Sequence, residues 1–307
     1  MKSIDLAGRM ASHTRRLFGR AALGLAALAL NGAALAQSTA SAPIRVVAAA
    51  NFYGDVVKQL GGAHVAVTSI LSNPDQDPHL FEASPKTARD LHNAALVVYN
   101  GADYDPWMDK LLAASKNDKR VVIVAADLVG KKGGDNPHLW YDPRTMPAVA
   151  KKIVDELDAA DAAHKAEYDA NLANFLGSLK PVDDKIEALK AKYQGVPVTA
   201  TEPVAGYLCD AIGLTMKNAR FQLSVMNDTE PAASDIAAFE QDLRGKRVRV
   251  FIYNAQAVTK LTERMLGLAK QSGVPSVSVT ETEPAGKNYQ QWMSTQVDAL
   301  AQALGKQ

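Results

Sequence analysis

Residues 168–193 read YDANLANFLGSLKPVDDKIEALKAKY. The apolar side chains Tyr168, Leu172, Phe175, Leu179, Val182, Ile186, Leu189 and Tyr193 follow one another at alternating spacings of four and three. At 3.6 residues per turn this rhythm lays one apolar stripe along a single helix. The stretch therefore predicts a helix of about 30 residues, about 45 Å long at 1.5 Å per residue. Pro181 lies inside it and, lacking an N–H, is a candidate bend. Residues 143–193 as a whole carry two helical stretches and no strand signal.

Both flanks of this region read differently. Short apolar, β-rich runs recur at 44–49, 65–71, 95–99 and 121–125, and again at 196–200, 248–253 and 277–280. Helical stretches separate them, such as 84–92, where Ser84 is placed to cap and Pro85 to occupy the first helical position. Strands alternating with helices predict parallel sheets covered on both faces. A long helix between two such regions predicts an α/β fold of two lobes with mainly parallel sheets, joined by a long rigid backbone helix. The expected boundaries are an N-terminal lobe at 37–160, the connecting helix at 161–194 and a C-terminal lobe at 195–307. The alternative is one sheet with a helical insertion.

Residues 1–36 read as an address. A ten-residue apolar run, Ala21–Leu30, is too short to span a bilayer, which needs about 20 residues. Arg15, Arg16 and Arg20 precede it, and Ala34-Leu35-Ala36 follows before Gln37. This is the layout of a cleaved export signal, with cleavage near Ala36/Gln37. The paired arginines fit a twin-arginine signal, and an ordinary Sec signal with a basic start fits as well. No cysteine follows the apolar run, so no lipid anchor is expected, and the product should be soluble and periplasmic.

The 307 residues are 47% hydrophobic and 22% charged, which excludes a disordered or fibrous chain. The formal net charge is +1; the five basic residues and Asp5 of the leader carry away +4 of it, leaving −3. Such a balance argues against nucleic acid as a partner. Cys209 is the single cysteine, so an intramolecular disulfide and cysteine-ligated clusters are excluded. It is expected on a helix, buried.

Two histidines stand in matching contexts: Asp77-Pro78-His79-Leu80-Phe81 and Asn136-Pro137-His138-Leu139-Trp140. The proline restricts the backbone on both sides of itself, so the histidine is presented in a set direction. The apolar residues after it can wall a site from water. His79 and His138 are accordingly candidate metal ligands. His92 and His164 are expected on polar helix faces, and His64 at the start of a strand, all three without a ligand role. Trp107, Trp140 and Trp292 are expected to serve packing.

With these motifs the chain resembles the solute-binding proteins of zinc/manganese ABC importers, the cluster A-I metal-binding family. Asp77 to Glu82 with Ser84-Pro85, Asn100-Gly101 with Trp107-Met108, and Asn136 to Trp140 carry the likeness. Thr201-Glu202-Pro203 with Gly206-Tyr207, and Val279 to Thr282 with Tyr289, continue it in the expected order. The resemblance implies one divalent metal held in the cleft between the lobes by four side chains. Two match His79 and His138, and the third matches Glu202. The fourth matches Glu281, with Glu283 as the reserve, because Glu281 follows a strand end directly. Asp77 and Glu82 are candidates for orienting the imidazoles from behind.

Glu202 stands where many zinc-specific relatives carry a third histidine, and the loop 130–135 contains no histidine. Two imidazoles and two carboxylates form a harder set than three imidazoles, which moves preference toward Mn²⁺ or Fe²⁺, while intrinsic affinity rises toward Zn²⁺. The implied cargo is Zn²⁺ or Mn²⁺, with Fe²⁺ a further candidate. Because an imidazole ligand must be neutral, metal should be lost as pH falls through about 6; unchanged affinity between pH 7.5 and 5 would contradict a two-histidine site. The implied role is capture and delivery to the membrane subunits of an ABC permease by a monomer without covalent chemistry. One alternative is an exported metalloenzyme with a two-histidine, one-carboxylate site open to water. Another is an adhesin or chaperone that uses metal structurally.

Overall fold

The computed structural model describes residues 42–73, 81 and 84–306. The export signal, His79, Asp77 and Glu82 lie outside these residues. Pro43–Gln307 forms one compact unit. Its first sheet contains β1 (Ile44–Ala50), β2 (Val65–Leu71), β3 (Leu96–Tyr99) and β4 (Val121–Val124), and its second contains β5 (Pro197–Ala200), β6 (Thr215–Lys217), β7 (Val250–Asn254) and β8 (Ser276–Val279). The helices are α1 (Asn51–Gly61), α2 (Pro85–Asn93), α3 (Trp107–Ala114), α4 (Ala125–Leu128), α5 (Thr145–Ala160) and α6 (Lys165–Tyr193), followed by α7 (Gly206–Ile212), α8 (Ala219–Met226), α9 (Ala233–Arg244), α10 (Lys260–Ser272) and α11 (Tyr289–Gly305).

Every pairing within the sheets is parallel, and the two orders match: β2-β1-β3-β4 and β6-β5-β7-β8. Val46 faces Val67 on one side and Leu96 on the other, and Val198 is flanked by Met216 and Val250. Central strands of parallel sheets are covered on both faces and so read as continuous apolar runs; Val46–Ala50 of β1 is buried throughout. In each sheet the strand order reverses beside its first strand, between β1 and β3 and between β5 and β7. Parallel sheets open a crevice for ligands at the carboxyl ends of the strands at such points.

α6 separates the sheets in the chain. Its stripe is buried at Tyr168, Phe175, Leu179, Val182, Ile186, Leu189 and Tyr193, with Leu172 half-buried against the same core. The helix runs through Pro181 without ending, since that residue faces solvent. α6 packs against α5 and α1 before it and against α7 and α11 after it, so one core runs through both halves.

Side-chain caps mark the starts of three helices. Ser84 caps α2 by accepting from the Thr87 N–H, with Pro85 at the first position. Thr259 and Asn288 cap α10 and α11 by reciprocal bonds with the residue three positions on. β6 has no counterpart among the expected strands. It is a three-residue edge strand, too short to show a period of two.

Candidate metal centre

The residue after β3, Asn100, is fully buried, and its amide has three partners. The Tyr53 hydroxyl donates to its Oδ1 at 2.7 Å, and its Nδ2 donates to the carbonyls of Gly101 and Pro137 at 2.9 and 2.8 Å. The chain then turns through Gly101, Ala102 and Asp103 with φ of 74°, 52° and 65°. Glycine leads this left-handed run for a second reason: a Cβ on Gly101 would lie 2.7 Å from Val124 Cγ1. The Asp105 carboxylate closes the turn by accepting the N–H groups of Asn100 and Gly101, both at 2.8 Å. Burial pushes the Asp105 carboxyl up to about 7 despite these bonds.

This turn positions the next loop through Pro137, and His138 follows it, fully buried. Asn136 sets the state of the imidazole. Its Nδ2 donates to the Pro203 carbonyl at 2.8 Å, so its Oδ1 is the acceptor facing His138 Nδ1 at 2.7 Å. The proton therefore sits on Nδ1, and the lone pair of Nε2 points away, toward Glu281 Oε2 at 3.6 Å. Trp140 and Tyr104 flank the ring edge-on at centroid distances of 5.4 and 6.3 Å.

The second sheet contributes from the same kind of position. Glu202 lies two residues past β5, Asn254 ends β7, and Glu281 lies two residues past β8. All three are buried. The Asn254 amide nitrogen donates to Glu202 Oε2 at 2.8 Å and to Glu281 Oε1 at 2.6 Å, tying the two carboxylates together. Gln256 holds the Glu281 backbone by accepting the N–H groups of Glu281 and Thr282 at 2.6 and 3.2 Å. Two carboxylates on one donor, out of water, repel each other and disfavour double ionisation unless a cation joins them.

Hydrogen bonds also link the halves around this point. Tyr141 donates to the Thr280 carbonyl at 2.9 Å, Tyr289 to the Trp140 carbonyl at 2.7 Å and Tyr207 to the Asn136 carbonyl at 2.8 Å. Gly206 leaves room for the Asn136 amide, whose nitrogen would lie 2.8 Å from a Cβ there.

The structure thus brings together His138, Glu202 and Glu281 of the sequence-derived set. Glu283, the reserve for the fourth ligand, is buried too. Its backbone exchanges hydrogen bonds with the Asn51 side chain at the start of α1. Burial, helped by Asp55, pushes its carboxyl up to about 8. Cys209 is on α7, buried, with its thiol pushed up to about 12 by burial, so it offers no thiolate. Trp140 and Trp292 are core residues, and Trp107 packs against Phe81 with ring centroids 4.2 Å apart and planes tilted by 40°. Asn136 was visible only as part of a motif, and Asn254 and Gln256 not at all; an amide just past a strand has no periodicity to mark it.

The family model for the periplasmic component A of the zinc-uptake complex matches residues 46–303. The chain belongs to this family. The family resemblance found in the motifs is therefore correct, and so is the α/β fold it implied. Among curated proteins, the chain is 23% identical over 294 residues to the manganese ABC transporter substrate-binding lipoprotein PsaA of Streptococcus anginosus, covering 88% of this chain and 92% of that one. It is 22% identical over 296 residues to the iron ABC transporter substrate-binding lipoprotein MtsA of Streptococcus pyogenes, covering 88% and 92%. Among solved structures, the periplasmic zinc-binding protein TroA of Treponema pallidum superposes with a TM-score of 0.72 at 18% identity, covering 86% of this chain and all of that one. Zn(II)-bound AdcA of Streptococcus pneumoniae gives 0.68 at 22% identity, covering 86% and 58%.

Proposed function

We propose that the chain is the binding component of an ABC importer, capturing a divalent transition metal in the periplasm and delivering it to the membrane permease. The observation that supports this reading is the single Asn254 amide shared by Glu202 and Glu281, with Glu281 facing the lone pair of His138. His138, Glu202 and Glu281, with His79, are the proposed ligands, giving two imidazoles and two carboxylates. Their combined charge of −2 balances a divalent cation without a further ion.

Four protein ligands close the coordination sphere that a catalytic site keeps open for water, so we assign the chain carriage rather than catalysis. The proposed cargo is Zn²⁺ or Mn²⁺. The carboxylate share favours manganese, and the general order of divalent affinities favours zinc. Among the described residues no helix is long and apolar enough to cross a membrane. We propose a monomer without nucleic-acid partners. The proposed lobes are 37–160 and 195–307 with 161–194 between them.

The test is titration of the metal-stripped protein with Zn²⁺ and Mn²⁺ separately, beside Glu202→His. Tight binding of Mn²⁺ that weakens in the variant, while Zn²⁺ binding persists, is the expected result and favours manganese as cargo. Zinc binding without measurable manganese binding makes zinc the cargo. Binding of neither metal overturns the reading.

A further inference from the structure

A second cluster of metal-ligating side chains lies at the other end of the first sheet. His64 ends the short turn between α1 and β2, and His164 ends the short turn between α5 and α6. Their rings stack with centroids 3.7 Å apart and planes inclined by 23°. The Asp161 carboxylate sits beside them, accepting from His164 Nδ1 at 2.7 Å and from the Tyr168 hydroxyl at 2.9 Å. Glu167 Oε2 lies 2.9 Å from His64 Nε2. One ligand atom from each of His64, Asp161 and His164 falls within 4.8 Å of the others. His64 does stand at the start of a strand, as expected, and His164 just before α6; the two turns bring their rings into contact.

We propose that His64, Asp161 and His164, with Glu167 alongside, form a second site for a divalent transition metal such as Zn²⁺. Two imidazole nitrogens and carboxylate oxygens suit a borderline ion better than Ca²⁺ or Mg²⁺, which take oxygen ligands. The hydrogen bond to Asp161 uses Nδ1 of His164 and leaves its Nε2 to carry the lone pair. Stacked rings hold their lone pairs in nearly parallel planes, so one ring must turn about its Cβ–Cγ bond to let both converge. His164 is 35% exposed and has the room. The ligands come from elements on both sides, so a bound ion would clamp the start of α6 to the α1–β2 connection. β2 has seven residues, and His64 immediately precedes its amino end, so this site lies about 23 Å along the strand direction from the carboxyl ends that build the first site. It stands independently of the proposed cleft ligands.

The full chain, expressed without an affinity tag and stripped of metal, is titrated with Zn²⁺ alone. Imidazole resonances are followed by NMR, and those of His64 and His164 are assigned in the wild type from through-space connectivities to the Tyr168 ring. Perturbation of both resonances within the first two equivalents, and loss of one equivalent in His164→Gln, is the expected result. Resonances of both rings unmoved at two equivalents, or an equal stoichiometry in wild type and variant, overturns the site. The wild-type spectra decide without reliance on the variant's folding. Movement of His64 and His164 without movement of His138 would uphold this site while removing the cleft assignment.

Discussion

If His138 is a ligand as proposed, Asn136 would act on the metal without touching it, by choosing which nitrogen of His138 is protonated. Asn136→Ala removes that choice and also leaves the Pro203 carbonyl and the His138 N–H without their partner. Metal affinity should fall about 10- to 100-fold, the usual effect of losing the group behind a ligating imidazole. Calorimetric titration well below the unfolding temperature checks this, and unchanged affinity would mean that the ring holds its tautomer by other means. Asp105 is a different case. Its folded-state acidity is weaker than in the unfolded chain, so the native state keeps a proton that the unfolded state has released between about pH 4 and about 7. Stability then falls as pH rises through that window, by up to about 1.4 kcal/mol per pH unit. Urea unfolding of the metal-free protein and of Asp105→Asn should show that slope in the first and not in the second; parallel curves would contradict the assignment. These two residues also mark what could be read in advance. The prolines and aromatic residues around His138 announced a presented histidine, whereas the Asn254 amide that joins Glu202 to Glu281 became visible only once two distant strand ends were side by side.

At the scale of elements, α6 shows how far periodicity carries. The spacing of its apolar residues was sufficient to predict its length and buried face, because a helix repeats its environment every few residues. Pro181 did not end it, for its missing N–H falls on the solvent side. Gly177 sits on the same exposed face, with nothing within 4 Å of where a Cβ would be. Gly177→Ala should therefore stabilise the protein by about 0.5–1 kcal/mol, through lower backbone entropy in the unfolded chain. Thermal unfolding monitored by circular dichroism checks it, with metal binding expected to stay the same. A lower midpoint would show that α6 needs a flexible point there. The seven expected strands correspond to seven of the eight described, 65–71 without offset and the others within two residues at each end, because strand ends depend on pairing rather than on composition. β6 forms because β5 offers it an edge, and no local signal in three residues could announce that.

For the molecule as a whole, α6 is continuous with the cores of both halves, and Tyr141, Tyr207 and Tyr289 bond across from one half to the other. Wide hinge opening would break these contacts together with the buried stripe, so metal release should involve a small movement. Solution scattering of the metal-free and metal-loaded protein should give closely superimposable curves; a change of many ångströms in lobe separation would refute this. α11 completes the arrangement in an unexpected place. It follows β8 in the chain, yet it packs on α6 and α1. Trp292 sits 5.8 Å from the Phe52 ring and 5.9 Å from Tyr141, and Gln290 bonds to Gln59 and Ser178. A growing polypeptide cannot supply these partners until its final residues leave the ribosome. The first half thus waits on the last helix for part of its core, so a chain cut short before Tyr289 would present Phe52 and Tyr141 to chaperones and proteases rather than yield a smaller working protein.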